Sequence, residues 1–299
     1  MLDTGSIDIG SIGIWWSTAY DGAPFAEEAE ALAEVDEQGW GAVWLPEHYG
    51  RESMAHSALA LGATRRIPVV PGIANLWARD PVAMVNGGRT LAEAHPNRFA
   101  IGLGVSHRPV IESRGASADR SPLDVVSRYL DEMDRAKYTA ASPAEEPPRI
   151  LAALGPRMLQ LAATRTAGAH TYTVPVEHTA LAREVMGPDA VLAVEQKVVL
   201  SDDPDTSRAV ARQFLPLFLP NYRNNLLRCG FEAADLDDGG TDDVVDRLVA
   251  WGDVASIQTR VKEHLAAGAD HVCLQVLPLD GRLPRREWRE LGDALIGER

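Results

Sequence analysis

Apolar residues fall along the chain in two alternating patterns. Short runs rich in Val, Ile, Leu and Ala recur at 7–16, 42–45, 67–70, 99–105, 149–154, 169–174, 191–200 and 271–277. Polar and apolar positions mostly do not alternate within them, as expected for parallel strands buried on both faces. Between the runs, apolar residues recur at three- and four-residue spacing, which predicts helices at 24–38, 57–64, 81–94, 124–137, 155–166, 176–186 and 285–295. In the first of these, Ala29, Leu32, Ala33 and Val35 share the inner face and Gly39 provides the stop. The stretch 108–121 reads as a polar loop. After the seventh strand the rhythm breaks. A long helix is predicted over 206–228 despite Pro216 and Pro220, then an acidic, Gly-rich surface loop at 235–240, then helices at 241–251 and 256–267. Strand followed by helix, repeated eight times, predicts an α/β fold of the (β/α)8 TIM-barrel type rather than an open sheet. No domain boundary stands out, so the expectation is one domain over 1–299 with a helical insertion at about 203–255, between strands seven and eight.

The most informative segment is Val70-Pro71-Gly72-Ile73-Ala74-Asn75-Leu76-Trp77-Ala78-Arg79-Asp80-Pro81. It leaves a strand through a glycine and enters a helix that Asp80 can cap and Pro81 can start. A barrel places its site at such carboxyl ends of strands. The other ends carry Trp15-Trp16, Glu47-His48, Ser106-His107, Leu154-Gly155-Pro156-Arg157 and Tyr172-Thr173. This inventory offers flat apolar surface, two histidines for proton transfer and amides for hydrogen bonds. Each has a plainer reading beside it. Trp15, Trp16 and Trp77 are either substrate walls or barrel-top core, and His48 either moves a proton or ties down its own loop. Tyr222 and Arg223 in the insertion either close over a ligand or line a contact between subunits. Gly155-Pro156-Arg157 suits a phosphate, because free N–H groups point out of a helix start, but it also suits a simple cap.

Composition narrows the field. The 299 residues are 45% hydrophobic and 24% charged, as in ordinary globular proteins. A formal net charge of −14 disfavours nucleic acid or an anionic membrane as partner. Lysine occurs only at 137, 197 and 262, so nearly all positive charge is arginine, the better bidentate partner for phosphate. The histidines lack metal-binding spacing, so no metal is expected. Cys229 and Cys273 form no disulfide framework, no apolar run reaches membrane-spanning length, and no signal peptide is evident. A reduced, cytoplasmic setting is the expectation.

Five segments in order carry a family likeness: Gly39-Trp40-Gly41-Ala42-Val43-Trp44-Leu45-Pro46-Glu47, Gly72-Ile73-Ala74-Asn75 with Arg79-Asp80-Pro81, Pro96-Asn97-Arg98-Phe99 leading to Gly102-Leu103-Gly104-Val105-Ser106-His107, Ala153-Leu154-Gly155-Pro156-Arg157, and Ala266-Ala267-Gly268-Ala269-Asp270-His271-Val272. With them the chain resembles the luciferase-like monooxygenase superfamily, and within it the coenzyme F420-dependent class, over about residues 12–278. The resemblance implies a non-prolyl cis peptide at Gly72-Ile73 behind the deazaflavin ring. It implies a cofactor-contact set of Gly72, Ile73, Ala74, Asn75, Gly104, Ser106, Ala153, Leu154, Gly155, Pro156 and Arg157. It implies Glu47, His48 and His107 as the catalytic group; from the strand ends and the insertion, Trp15, Trp77 and Tyr222 are the candidates for substrate contacts. Arg79 is a further candidate for the anionic cofactor tail. Two departures stand out. His107 replaces a glutamate of sugar-phosphate-oxidising relatives, and Arg51 or Glu52 stands where those relatives have a tryptophan, which weakens a sugar phosphate as substrate. The implied function is hydride transfer between F420 and a small organic substrate, in a homodimer. The rivals are an FMN-dependent monooxygenase fed by a separate reductase, and a non-catalytic flavin- or deazaflavin-binding protein.

Overall fold

A computed structural model describes residues 7–115 and 119–297. In chain order it contains β1 (Ile12–Trp15), α1 (Phe25–Gln38), β2 (Val43–Leu45), α2 (Ser53–Ala63), β3 (Val69–Pro71), β4 (Ala74–Asn75), α3 (Pro81–Ala94), β5 (Ile101–Gly104), α4 (Arg108–Ser113) and α5 (Pro122–Arg135). There follow β6 (Arg149–Ala152), α6 (Pro156–Arg165), β7 (Gly168–Thr171), α7 (Val176–Met186), β8 (Val191–Leu200), α8 (Pro204–Phe214), α9 (Pro220–Arg228), α10 (Asp242–Leu248), β9 (Val249–Gly252), α11 (Val254–Ala266), β10 (His271–Val276) and α12 (Arg285–Leu295).

The strands run β3-β2-β1-β10-β8-β7-β6-β5-β4, every pair parallel. A bridge from Val69 to Phe99 joins the ends, so the sheet closes into a (β/α)8 TIM barrel. The third strand, predicted over 67–70, is β3, and a further short strand, β4, follows it in the predicted connection: β3 pairs with β2 and β4 with β5, and between them the Gly72–Ile73 peptide is cis.

Two packed layers position everything else. Outside the barrel wall, Ile14, Leu103 and Val194 share a core with helix residues such as Leu32 of α1. Inside it, Trp44, Val70, Ala100, Ile150 and Cys273 fill the centre. Trp44 stacks on His170 with ring centroids 4.5 Å apart and donates its Nε1–H to His271 Nε2 at 2.9 Å. Close approach of the strands depends on glycine at one position in particular: a Cβ on Gly102 would fall on the Pro71 carbonyl oxygen. Among the described residues, no helix is long and apolar enough to cross a membrane.

Several expectations need correcting. The helix predicted over 206–228 is two, α8 and α9, separated near Pro216; Pro220 instead occupies the first turn of α9, where its missing N–H costs nothing. The helix predicted over 241–251 ends at Leu248, and its last residues form β9, which pairs with β8 from Lys197↔Val249 to Leu200↔Gly252. The β-branched and aromatic residues of Val249-Ala250-Trp251 favour that extended state once an edge is available. The loop predicted over 108–121 begins with a short helix, α4, and its residues 116–118 lie outside the described part. The helix predicted from 57 starts earlier, at Ser53, because the Glu52 side chain caps it by accepting from the Ala55 N–H at 2.8 Å.

Candidate active site

The carboxyl ends of the strands form one mouth, and its floor is built by β1, the β3–β4 break and β5. Trp15 ends β1 with its side chain almost fully buried. Its indole lies over Gly72, where a Cβ would come 2.8 Å from Nε1. Ile73 turns inward and takes the space a Cβ on Gly104 would need. Gly104 is therefore glycine for a steric reason, and the Ile73 side chain shapes the floor. Asn75 is buried, with its N–H donating to Glu47 Oε2 at 2.6 Å and its Oδ1 accepting from the Trp77 N–H at 2.9 Å. The Trp77 indole donates to the Val105 carbonyl at 3.0 Å, so this ring braces the β5 exit. Ala74 is buried on the outer face, among the helix-facing core, rather than in the mouth. Side chains in a strand alternate, and Ile73 and Asn75 take the inner positions, so only the Ala74 backbone faces the mouth.

Glu47 is also reassigned. Its carboxylate is buried, pairs with Arg79, and accepts the N–H groups of Asn75 and Ser53. The Arg79 side chain pairs with Glu52 as well and is itself buried. Neither charge is free: Glu47 braces the β3–β4 exit against the start of α2, and Arg79 is unavailable to a phosphate. His48, the next residue, lies on the exposed rim with its ring 4.2 Å from that of Tyr49. Partial burial pulls its pKa below the usual histidine value, and Arg114 adds to this while Asp21 opposes it.

His107 leaves the barrel directly after Ser106, whose φ of 64° turns the chain back over the mouth. Its Nδ1 is 3.0 Å from Asn221 Oδ1, and its ring lies 5.3 Å from that of Tyr222. Burial lowers its pKa; the Asn221 contact works the other way, and His48 lowers it further. Both histidines are accordingly neutral at pH 7, able to accept a proton. Tyr222 is buried, and its ring is 5.9 Å from Tyr172, which in turn is 5.0 Å from Trp15. Trp15, Tyr172, Tyr222 and His107 thus form one continuous layer of rings across the mouth.

Beneath Tyr172 lies a buried ion pair. Lys197 Nζ is 3.1 Å from Glu195 Oε2, 2.8 Å from Thr173 Oγ1 and 3.8 Å from the centre of the Tyr172 ring. Desolvation pushes the Glu195 carboxyl up and the Lys197 ammonium down, and each charge opposes the shift in the other. The Tyr172 hydroxyl donates to Gln275, whose amide donates to Ser17. A signal for this cluster existed in the sequence, since Glu195 and Lys197 interrupt an otherwise apolar strand.

A second part of the site is the β6–α6 turn. Gly155 occupies the N-cap of α6 and Pro156 its first position. Ala153 is held by its N–H to the His170 carbonyl at 3.1 Å, and the Leu154 carbonyl accepts from His178 Nε2 at 2.9 Å. Arg157 is exposed. The Arg228 guanidinium, from α9, lies 3.5 Å from where a Gly155 Cβ would be, and it donates to Asn225 Oδ1 of its own helix at 3.0 Å. No carboxylate pairs with either arginine among the described residues. Nothing in the local pattern pointed to Arg228, because only the packing of α9 brings it to this turn. Two guanidinium groups beside a helix start form a site for an anionic group.

Does this mouth fit a deazaflavin or flavin? Two buried donors, Trp15 Nε1 and Asn75 Nδ2, have no protein acceptor. Such orphans suit the carbonyl and ring-nitrogen edge of a flat heterocycle. The arginine-bearing turn suits the phosphate that both cofactors carry. The residues present therefore fit the group.

Comparison with known proteins bears on the family and the fold. A family profile described as luciferase-like monooxygenase matches residues 12–271. A Mycobacterium tuberculosis protein provisionally named a coenzyme F420-dependent oxidoreductase is 28% identical over 108 residues, which is 36% of this chain and 31% of that protein. The aligned part thus spans about a third of that relative. Among solved structures, an F420-dependent secondary alcohol dehydrogenase in complex with an F420–acetone adduct superposes with a TM-score of 0.76 at 13% identity, over 97% of this chain and 99% of that one. The oxygenating constituent of 3,6-diketocamphane monooxygenase from Pseudomonas putida, in complex with FMN, superposes with a TM-score of 0.69 at 15% identity, over 95% and 96%. At these identities the two structures establish the shared fold.

Proposed function

We propose that this chain, which belongs to the luciferase-like monooxygenase family, is an F420-dependent oxidoreductase acting on a small organic substrate. The observation that carries the choice of cofactor is the Arg228 guanidinium beside Gly155, at the helix start that also bears the exposed Arg157. F420 has a longer anionic tail than FMN, and two guanidinium groups without carboxylate partners provide for more negative charge than one phosphate brings. Arg228 takes the part that Arg79, committed to Glu47 and Glu52, does not fill.

When bound, the deazaflavin supplies a two-electron hydride donor or acceptor. This chain's residues do the rest. Ile73 and Gly104 would form the floor for the ring, and Trp15 Nε1 and Asn75 Nδ2 would be free to donate to it. Gly155, Pro156, Arg157 and Arg228 hold the phosphate end. Tyr172, Tyr222 and Trp77 exclude water around the substrate. His107, neutral and facing the mouth, takes or returns the proton that accompanies the hydride, and His48 on the rim connects it to solvent. Glu47 acts at one remove, by holding Asn75 in place.

Fluorescence titration of the purified protein with F420 and with FMN tests this reading. Tighter binding of F420 is the expected result. Micromolar FMN affinity without any F420 response would instead assign the chain to the FMN-dependent branch.

A further inference from the structure

We propose that Asn221 is a positioning residue that fixes His107 as its Nδ1–H tautomer, so that Nε2 is the nitrogen offered to the substrate. The inference deepens the oxidoreductase reading and rests on it. Asn221 Oδ1 lies 3.0 Å from His107 Nδ1, and a carboxamide oxygen can only accept. The ring proton therefore sits on Nδ1, and the lone pair sits on Nε2. That nitrogen faces the mouth: the Tyr222 hydroxyl is 3.5 Å from it, and Tyr222 leads through Tyr172 to Trp15 and the Gly72 floor. Asn221 and Tyr222 are consecutive in the first turn of α9, directly after Pro220, so one helix start delivers both partners of the imidazole. The titratable groups facing His107 are His48 from the β2–α2 connection and Tyr222 from α9. Burial keeps the Tyr222 phenol protonated well past neutrality, so it brings no charge beside the ring.

In the oxidising direction, Nε2 forms a bond to the proton of a substrate hydroxyl as that O–H bond breaks. The adjacent C–H bond gives its electron pair with the hydride to the oxidised deazaflavin. The substrate becomes a carbonyl compound, His107 becomes an imidazolium, and its Nδ1–H···O bond to Asn221 strengthens with the new charge. The reverse direction returns both.

The test uses the full-length protein with 15N-labelled histidine and two-bond 1H–15N correlation spectra. The His107→Gln variant identifies the signals. Wild type should show His107 as Nδ1–H. Asn221→Leu, which removes the acceptor, should shift the ring toward Nε2–H. Asn221→Asp, which sets a carboxylate against Nδ1–H, should raise the pH at which the ring titrates by about one unit. An Nε2–H ring in wild type, or no response to either substitution, overturns the positioning role. Where turnover is measured, the acid limb of kcat/KM should move with the ring titration in Asn221→Asp. A ring titration that moves while the acid limb stays fixed overturns His107 as the proton acceptor, separately from the tautomer result.

Discussion

Glu47 shows how a residue's type and its role come apart. A carboxylate beside a histidine at a strand end reads as acid–base machinery, yet its oxygens are consumed by Arg79 and two backbone N–H groups. Glu47→Gln keeps an acceptor for one of those N–H groups, sets an NH2 against the other, and removes the charge. Breaking a fully buried pair typically costs about 3–5 kcal/mol; here Glu52 still faces Arg79 from an exposed position, so a loss of about 1–3 kcal/mol is expected. Urea unfolding measures it. Unchanged stability together with lost turnover would restore Glu47 to the chemistry. Asn75 was legible as a site candidate from its place after a strand, and Gly104 only from the family resemblance. That Ile73 fills the space beside Gly104 was not, because it depends on which way the chain turns at Gly72.

At the scale of elements, α9 is the decisive unit. One end brings Asn221 and Tyr222 to His107, and the other brings Arg228 to the Gly155 turn. Local pattern marked this region as helical but joined it to α8, since apolar periodicity carries across a proline more readily than a helix does. Arg157→Ala and Arg228→Ala should each weaken cofactor binding by about 1–3 kcal/mol at low salt, the range for a lost charge-assisted hydrogen bond. Both side chains are exposed, so the loss should shrink as salt rises. Cofactor titration at two ionic strengths reads this. An effect of Arg157→Ala alone would mean that α9 does not reach the phosphate end.

At the scale of the molecule, three of the buried histidines respond most strongly to their surroundings: His170 and His271 inside the barrel, and His264 on the inner side of α11. Burial drives the pKa of His170 and His264 down to about 3 and that of His271 to about 4. Their folded-state values lie below the unfolded value of about 6.5, so their contribution to stability is complete above that pH and is lost as pH falls toward the folded values. Near pH 5 unfolding should take up about three extra protons from these rings, with the urea midpoint falling from pH 7 to pH 5. A midpoint independent of pH over that range would contradict it. The barrel itself follows from the chain's pattern alone, because eight apolar runs spaced by amphipathic helices leave few other ways to bury both faces of each strand. So does the choice of strand ends that face the chemistry, since parallel order puts them all on one side. Folding in three dimensions settled what depends on contacts distant in sequence: Glu47 satisfied by Arg79, β9 extended because the edge of β8 was free to pair, and Arg228 and Asn221 carried from the insertion to the mouth. Periodicity records which face of a segment is buried; it does not record what a side chain meets there.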